Sequence, residues 1–168
     1  MDISLRTATL DDVDTLIELI IGGQLAGDDD GPEYRSDYVD ALREIEQDPH
    51  ATVLVAVNHG VDVVGMLQLF TFRHVQHRGG RCAEIESMHV RHDLRYSGIG
   101  GKLLDHAIEA AREMGCYRVQ LTSNERRHNV HRFYERHGFV PSHRGFKRSL
   151  TGPEAAQPTE PATIVNPT

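Results

Sequence analysis

Apolar positions along this chain switch between two periods, and each switch marks an element. Residues 3–9 alternate apolar and polar, as a strand with one buried face does. Thr9 can cap a following helix, with Asp11, Asp12 and Asp14 favourable in its first turn. Val13, Leu16, Ile17, Ile20 and Ile21 then recur at helical spacing. Gly22-Gly23 and the run Gly27-Asp28-Asp29-Asp30-Gly31-Pro32 predict a polar loop before a second helix over residues 36–46. Residues 53–57 and 61–72 are β-rich runs, and Asn58-His59-Gly60 between them has the composition of a hairpin turn. A basic loop over residues 73–81 leads into a strand over 82–90. Ile99, Leu103, Leu104, Ala107, Ile108 and Ala111 form the packed side of a helix over 98–114, which Gly115 stops. Residues 117–121 read as a strand, 129–136 as a helix, and Phe139 begins a final strand.

That order implies an α/β protein: a mixed sheet of about six strands with helices on both faces. The sequence has 168 residues, enough for one domain with a substantial core. We assign that domain to residues 1–150. From Thr151 the chain turns to Pro, Thr, Ala and Glu without periodicity, which predicts a disordered tail over 151–168. A formal net charge of −7 argues against a general nucleic-acid binder, which is normally basic. The apolar run from Leu16 to Ile21 is interrupted by Glu18 and too short to span a bilayer. No signal-like segment precedes it, so the expected location is cytoplasmic. Cys82 and Cys116 form no CxxC pair and suggest no disulfide scaffold.

The most informative segment is Arg95-Tyr96-Ser97-Gly98-Ile99-Gly100-Gly101-Lys102, placed where a strand hands over to a helix. Free N–H groups at a helix start carry partial positive charge and bind phosphate oxygens, and glycines let the backbone come close. A Walker A loop is excluded, because Leu103 follows Lys102 where Ser or Thr is required and Tyr96 occupies the upstream glycine position. Glu84 and Glu86 lie two apart on one strand and so share a face. Their repulsion raises one pKa toward neutrality, which suits a general base. Without a ligand these carboxylates would serve as partners of Arg81 and Arg118. Cys82 shares their face, but no histidine can be placed beside it as an activating base. The pairs His74 and His77, His89 and His92, and His128 and His131 lack the cysteine or carboxylate pattern of a known metal site.

With Glu84-Ile85-Glu86-Ser87-Met88-His89-Val90 before the loop, and Phe133-Tyr134-Glu135 then Gly138-Phe139 after it, the chain resembles the GNAT superfamily of acetyl-CoA-dependent N-acetyltransferases. The resemblance spans most of residues 3–150. It implies a sheet splayed at the cofactor site and direct transfer from acetyl-CoA to a primary amine in a ternary complex. Arg95, Tyr96, Ser97, Gly98, Ile99, Gly100, Gly101 and Lys102 would then hold the pyrophosphate, and Met88, His89 and Val90 would pair with the pantetheine arm. Glu84 would be the base, with Glu86 second choice or an anchor for the amine, and Tyr134 would protonate the departing thiolate. Tyr96 and Arg127 depart from the family pattern, which often has Gly or a basic residue at the first and Asn at the second. Arg127 is instead available to a CoA phosphate.

The acceptor is less legible. Arg73, His74, His77, Arg78 and Arg81 suggest an anionic group on it, whereas Asp28 to Asp30 suggest a cationic one. Residues 127–134 with Ser142-His143 resemble the aminoalkylphosphonate N-acetyltransferases, which tilts the expectation toward a small amine bearing phosphonate, phosphate or carboxylate. The alternatives are a protein or peptide N-acetyltransferase and a non-catalytic acyl-CoA sensor. The resemblance also admits a homodimer.

Overall fold

The computed structural model describes residues 1–25 and 30–150. Asp28 and Asp29 of the acidic run, and the expected tail over 151–168, lie outside the described residues.

Five strands form one sheet in sequence order: β1 (Ile3–Thr7), β2 (Ala51–Asn58), β3 (Asp62–Arg73), β4 (Arg81–Val90) and β5 (Cys116–Leu121). The first four pair antiparallel, and β5 joins β4 parallel. A parallel partner needs a crossover, which α3 (Ile99–Glu113) supplies. Helices α1 (Val13–Ile21) and α2 (Arg35–Gln47) cover one face of the sheet. There Val13, Leu16, Ile17 and Leu42 pack with Val53, Val55, Val57 and Met66. The other face carries α3, whose Ile99, Leu103, Leu104, Ala107 and Ala111 bury against Leu54, Val64, Leu67, Ala83 and Ile85. Phe133 and Tyr134 of α4 (His128–Arg136) pack at the margin of that second cluster. Alternate residues of β2 thus serve opposite cores, as the period of two requires.

The hairpin turn forms as expected, with His59 and Gly60 both at positive φ (50° and 73°). At the N-terminus Thr9 begins a 3-10 turn, Leu10–Asp12, rather than the α-helix itself. The buried Asp12 carboxylate accepts from the Thr9 N–H at 2.7 Å and from both Arg6 guanidinium arms at 2.7 and 2.8 Å. It fastens β1 to the start of α1.

The sixth strand does not form: residues 139–150 carry no regular secondary structure. Pro141 lacks an N–H to donate to a ladder, and Ser142 turns back locally, its N–H bonded to Val140 O at 2.8 Å. Val140 and Phe146 are left largely exposed, and β5 has no second strand neighbour among the described residues.

Candidate active site

The site is built where β4 breaks its own pairing. Gln68 of β3 faces Glu86, but two residues on, Met66 faces His89. One extra residue therefore sits in β4, and Ser87 takes φ 48° to accommodate it. The bulge changes which face each side chain meets. Cys82, Glu84 and Glu86 point away from the α3 core that holds Ala83 and Ile85, whereas Met88 and Val90 beyond the bulge return to that core. On the other side, pairing with β5 ends at Ile85–Leu121. Residues 86–90 of β4 consequently run past the end of the β5 ladder.

The glycine loop closes this stretch from below. Residues His92–Leu94 make a 3-10 turn; Tyr96 follows at φ 66° and projects into solvent, and Ser97 Oγ donates to Leu94 O at 2.6 Å. Gly98 precedes α3 at φ 89°, a left-handed conformation that side chains rarely adopt. The first helical bond runs from Lys102 N to Gly98 O, and no side chain caps the helix. The N–H groups of Ile99, Gly100 and Gly101 therefore have no intrahelical acceptor, which is the arrangement a phosphate requires. Ile99 anchors the turn in the core, and Lys102 is exposed beside it. At Gly100 a Cβ would lie 3.2 Å from the Met88 methyl, so helix and strand are in close contact.

Two arginines tie the end of α1 across the opening. Arg95 Nη2 donates to Gly22 O at 2.9 Å, and Arg127 Nη2 donates to Gly23 O at 2.6 Å. Gly23 also lies against the His89 ring, where a Cβ would come within 2.1 Å of Nδ1. Arg127 thus stands at the start of α4 with its guanidinium turned toward α1, next to Tyr134.

The carboxylates differ in their surroundings. Glu84 lies in the paired part of β4, opposite Gln120, whose amide Nε2 donates to Glu84 Oε2 at 3.0 Å. The Gln120 carbonyl faces the buried Cys82 thiol at 3.5 Å, and Arg118 Nε reaches the same sulfur at 3.4 Å. Glu86 stands at the mouth of the opening. Burial pushes its carboxyl above the ordinary range; the Lys147 ammonium opposes this, Glu84 adds to it, and the Thr122 hydroxyl and Ser87 N–H oppose it. Tyr134 lies across the bulge with its hydroxyl 3.7 Å from Met88 Sδ. Burial raises its pKa, Arg127 lowers it and Glu86 raises it, so the phenol keeps its proton at neutral pH.

A groove of about 430 Å³ lies between α2 and the outer face of β3. Its lining includes Glu44, Asp48, Gln68 and Phe70, and the last two pair across the strands with Glu86 and Glu84. The basic loop lies at the opposite end of β4, with Arg81 against the His50 and Thr71 that line this groove. Arg73 is spent on Gly79 O at 2.9 Å, Arg81 on His50 and Thr71, and His74 and His77 stack with Tyr117. Five residue steps along the strand take Arg81 to Glu86, about 16 Å. Asp30 is likewise engaged: it accepts from Tyr38 OH at 2.7 Å, and burial followed by that carboxylate pushes the phenol up to about 12. Among the described residues no group of three or more His, Cys, Asp or Glu side chains could hold a metal.

The structure brings Glu84, Glu86, Tyr134 and the loop, all expected from the sequence, to one end of β4. Sequence reasoning missed Gln120, Thr122 and Lys147, because only the β4–β5 register and the path of residues 139–150 bring them to the carboxylates.

A sheet opened by a bulge in β4, with a glycine-bearing helix start at its end, defines an acetyltransferase fold. Residues 23–139 match the Acetyltransferase (GNAT) family, and the chain belongs to it. It is 34% identical over 146 residues to the aminoalkylphosphonate N-acetyltransferase of Salmonella typhimurium, covering 87% of this chain and 90% of that protein. A transcriptional regulator from Bacillus halodurans C-125 has the same fold (TM-score 0.80, 33% identity, 87% of this chain and 98% of that one). A putative acetyltransferase from Agrobacterium tumefaciens does too (TM-score 0.75, 28% identity, 86% and 97%). The protein is an acyltransferase of the N-acetyltransferase kind, acting on an amine.

Proposed function

We propose that the chain transfers acetyl from acetyl-CoA to the primary amine of a small molecule that also carries an acidic group, with phosphonate the leading candidate. The observation that carries the acetyl-CoA reading is the stretch of β4 beyond the β5 ladder running into the uncapped start of α3. The pantetheine amides add to residues 88–90 as a strand would, and the pyrophosphate meets the N–H groups after Gly98. The acidic acceptor is supported by the relative that acts on aminoalkylphosphonates.

The catalytic roles follow from the surroundings of each group. Glu86, at the mouth of the opening and with its pKa raised, is better placed as base than Glu84, whose carboxylate is held by Gln120. A base works best when its pKa lies near the working pH. Glu86 takes a proton from the acceptor ammonium, the neutral amine attacks the thioester carbon, and a main-chain N–H near Met88 stabilises the oxyanion. Collapse of the tetrahedral intermediate breaks the C–S bond; Tyr134 gives its proton to the thiolate, and the second proton shed by the nitrogen as the amide forms restores the phenol. Cys82 takes no covalent part: its thiol is buried within the Arg118–Gln120 chain.

A homodimer is the assembly we favour, supported by the exposed Val140 and Phe146 beside an open β5 edge. The cytoplasm is the proposed location, in keeping with two free thiols. Titration calorimetry with acetyl-CoA, followed by a thiol-release assay across aminoalkylphosphonates, amino acids, polyamines and aminoglycosides, tests the reading. Tight binding with turnover on an acidic amine is expected. Binding without turnover on any small amine shifts the assignment to a peptide acceptor, and no binding removes it.

A further inference from the structure

The acceptor-facing side of β4 is flanked by cations that the catalytic scheme does not use. Arg127 spends a donor on Gly23 O, a neutral carbonyl, and so its charge is not compensated there. It is half-buried beside Tyr134, whose hydroxyl reaches the bulge at Met88. Lys147 arrives on the segment after α4. The stretch of chain after α4 passes the end of β5, where a Cβ on Gly145 would lie 3.7 Å from the Thr122 methyl. Two residues later, Lys147 is close enough for its ammonium to favour the charged form of Glu86. No ion pair among the described residues includes Arg127 or Lys147.

The charges around the site are therefore arranged asymmetrically. Toward α2, the 430 Å³ groove presents Glu44 and Asp48 on the helix side, with His50 and Thr71, the partners of Arg81, also in its lining. Toward β5, Glu86 meets Lys147, and at the start of α4 Arg127 stands beside Tyr134. An ammonium that settles on Glu86 displaces Lys147 as its counter-ion, leaving Lys147, like Arg127, without a carboxylate partner among the described residues. A molecule carrying ammonium and acid a few bonds apart satisfies both at once; a simple alkylamine or polyamine cannot.

We propose that Arg127 and Lys147 form the receptor for the acidic group of the acceptor and are the residues that select zwitterionic amines. The inference rests on the acetyl-transfer reading above. It places Arg127 at the acceptor, not at a CoA phosphate. It also assigns the selectivity to residues 127 and 147 and not to the basic loop at the far end of β4. A half-buried arginine gripping a phosphonate through charge-assisted bonds contributes more than an exposed lysine does.

The test compares kcat/KM for 2-aminoethylphosphonate with that for n-propylamine in the full-length enzyme. Arg127→Gln should lower the phosphonate-to-propylamine ratio by about tenfold or more, and Lys147→Gln by about threefold. Lys147→Glu should lower it further and raise the relative rate on 1,3-diaminopropane. The KM for acetyl-CoA should stay close to wild type in Arg127→Gln. Equal losses on both amines, or a raised acetyl-CoA KM with the amine ratio unchanged, would overturn the assignment while leaving acetyl transfer intact. Absence of turnover by the wild type on every amine would remove both readings.

Discussion

Replacing Gly98 with Ala separates the backbone geometry of the cofactor loop from its side-chain chemistry. Gly98 sits at φ 89°, ψ −4°, and an added Cβ would meet nothing within 4 Å. No clash arises, so the whole cost is conformational. Holding an L-residue in left-handed backbone costs about 1–2 kcal/mol. Of this, about 0.4–1 kcal/mol is offset because alanine restricts the unfolded chain. The strain must surface either as lower stability of the free protein or as weaker cofactor binding. The flanking residues favour the second route: Tyr96 is 94% exposed, and little packing holds the loop open. Relaxation turns an N–H away from the pyrophosphate, and one charge-assisted bond contributes about 1.5–3 kcal/mol, or roughly tenfold or more in affinity. Calorimetry should therefore show acetyl-CoA binding to Gly98→Ala weakened by about tenfold, with only a small fall in thermal midpoint. Gly98→Asn should recover most of the affinity, since asparagine tolerates this conformation. If Gly98→Ala bound acetyl-CoA and melted as the wild type does, the left-handed turn would not be what shapes the cradle.

Other expectations address the chemistry and the fold. Tyr134→Phe should reduce kcat by about 10²-fold with acetyl-CoA affinity retained, and a wild-type kcat would remove its role as acid. The acid limb of kcat/KM should lie above the ordinary carboxylate range, because burial raises Glu86 and its deprotonated form is the active one. Removing the favourable cation in Lys147→Met should move that limb to higher pH, and removing the unfavourable anion in Glu84→Gln should move it lower. Shifts of the opposite sign in pH–rate profiles would dissociate the limb from Glu86. Asp12→Ala should cost about 1–2 kcal/mol in urea unfolding, discounted because Arg6 is partly exposed. Its pKa is depressed chiefly by Arg6, so this contribution is present above about pH 4 and is lost as pH falls through the folded value. A wild-type and Asp12→Ala difference that stayed constant down to acid pH would contradict that origin.

Helices α2, α3 and α4 were legible to within about one residue at each end, and α1 but for the 3-10 turn at its start, because their apolar positions recur locally and their ends carry glycine or polar stops. The shared face of Glu84 and Glu86 was legible for the same reason. What escaped the sequence depends on pairing across the sheet. Nothing in Ser87 announces that it takes φ 48°, yet that residue separates the acidic face from Met88 and Val90. The segment after Phe139 was expected to return as a strand, but Pro141 and the local turn at Ser142 keep it off the β5 edge. Its irregular path is what brings Lys147 to Glu86. The basic loop misled in the opposite way: its charges are conspicuous in sequence but point to an end of β4 remote from the opening.

The most direct test compares Glu86→Gln and Glu84→Gln side by side in single-turnover assays with saturating acetyl-CoA and an aminoalkylphosphonate. The account predicts that Glu86→Gln slows acetyl transfer by about 10²–10⁴-fold while binding acetyl-CoA normally, and that Glu84→Gln retains most of the rate. A full rate in Glu86→Gln, with the loss falling on Glu84→Gln, would place the base in the paired part of β4 and contradict the account.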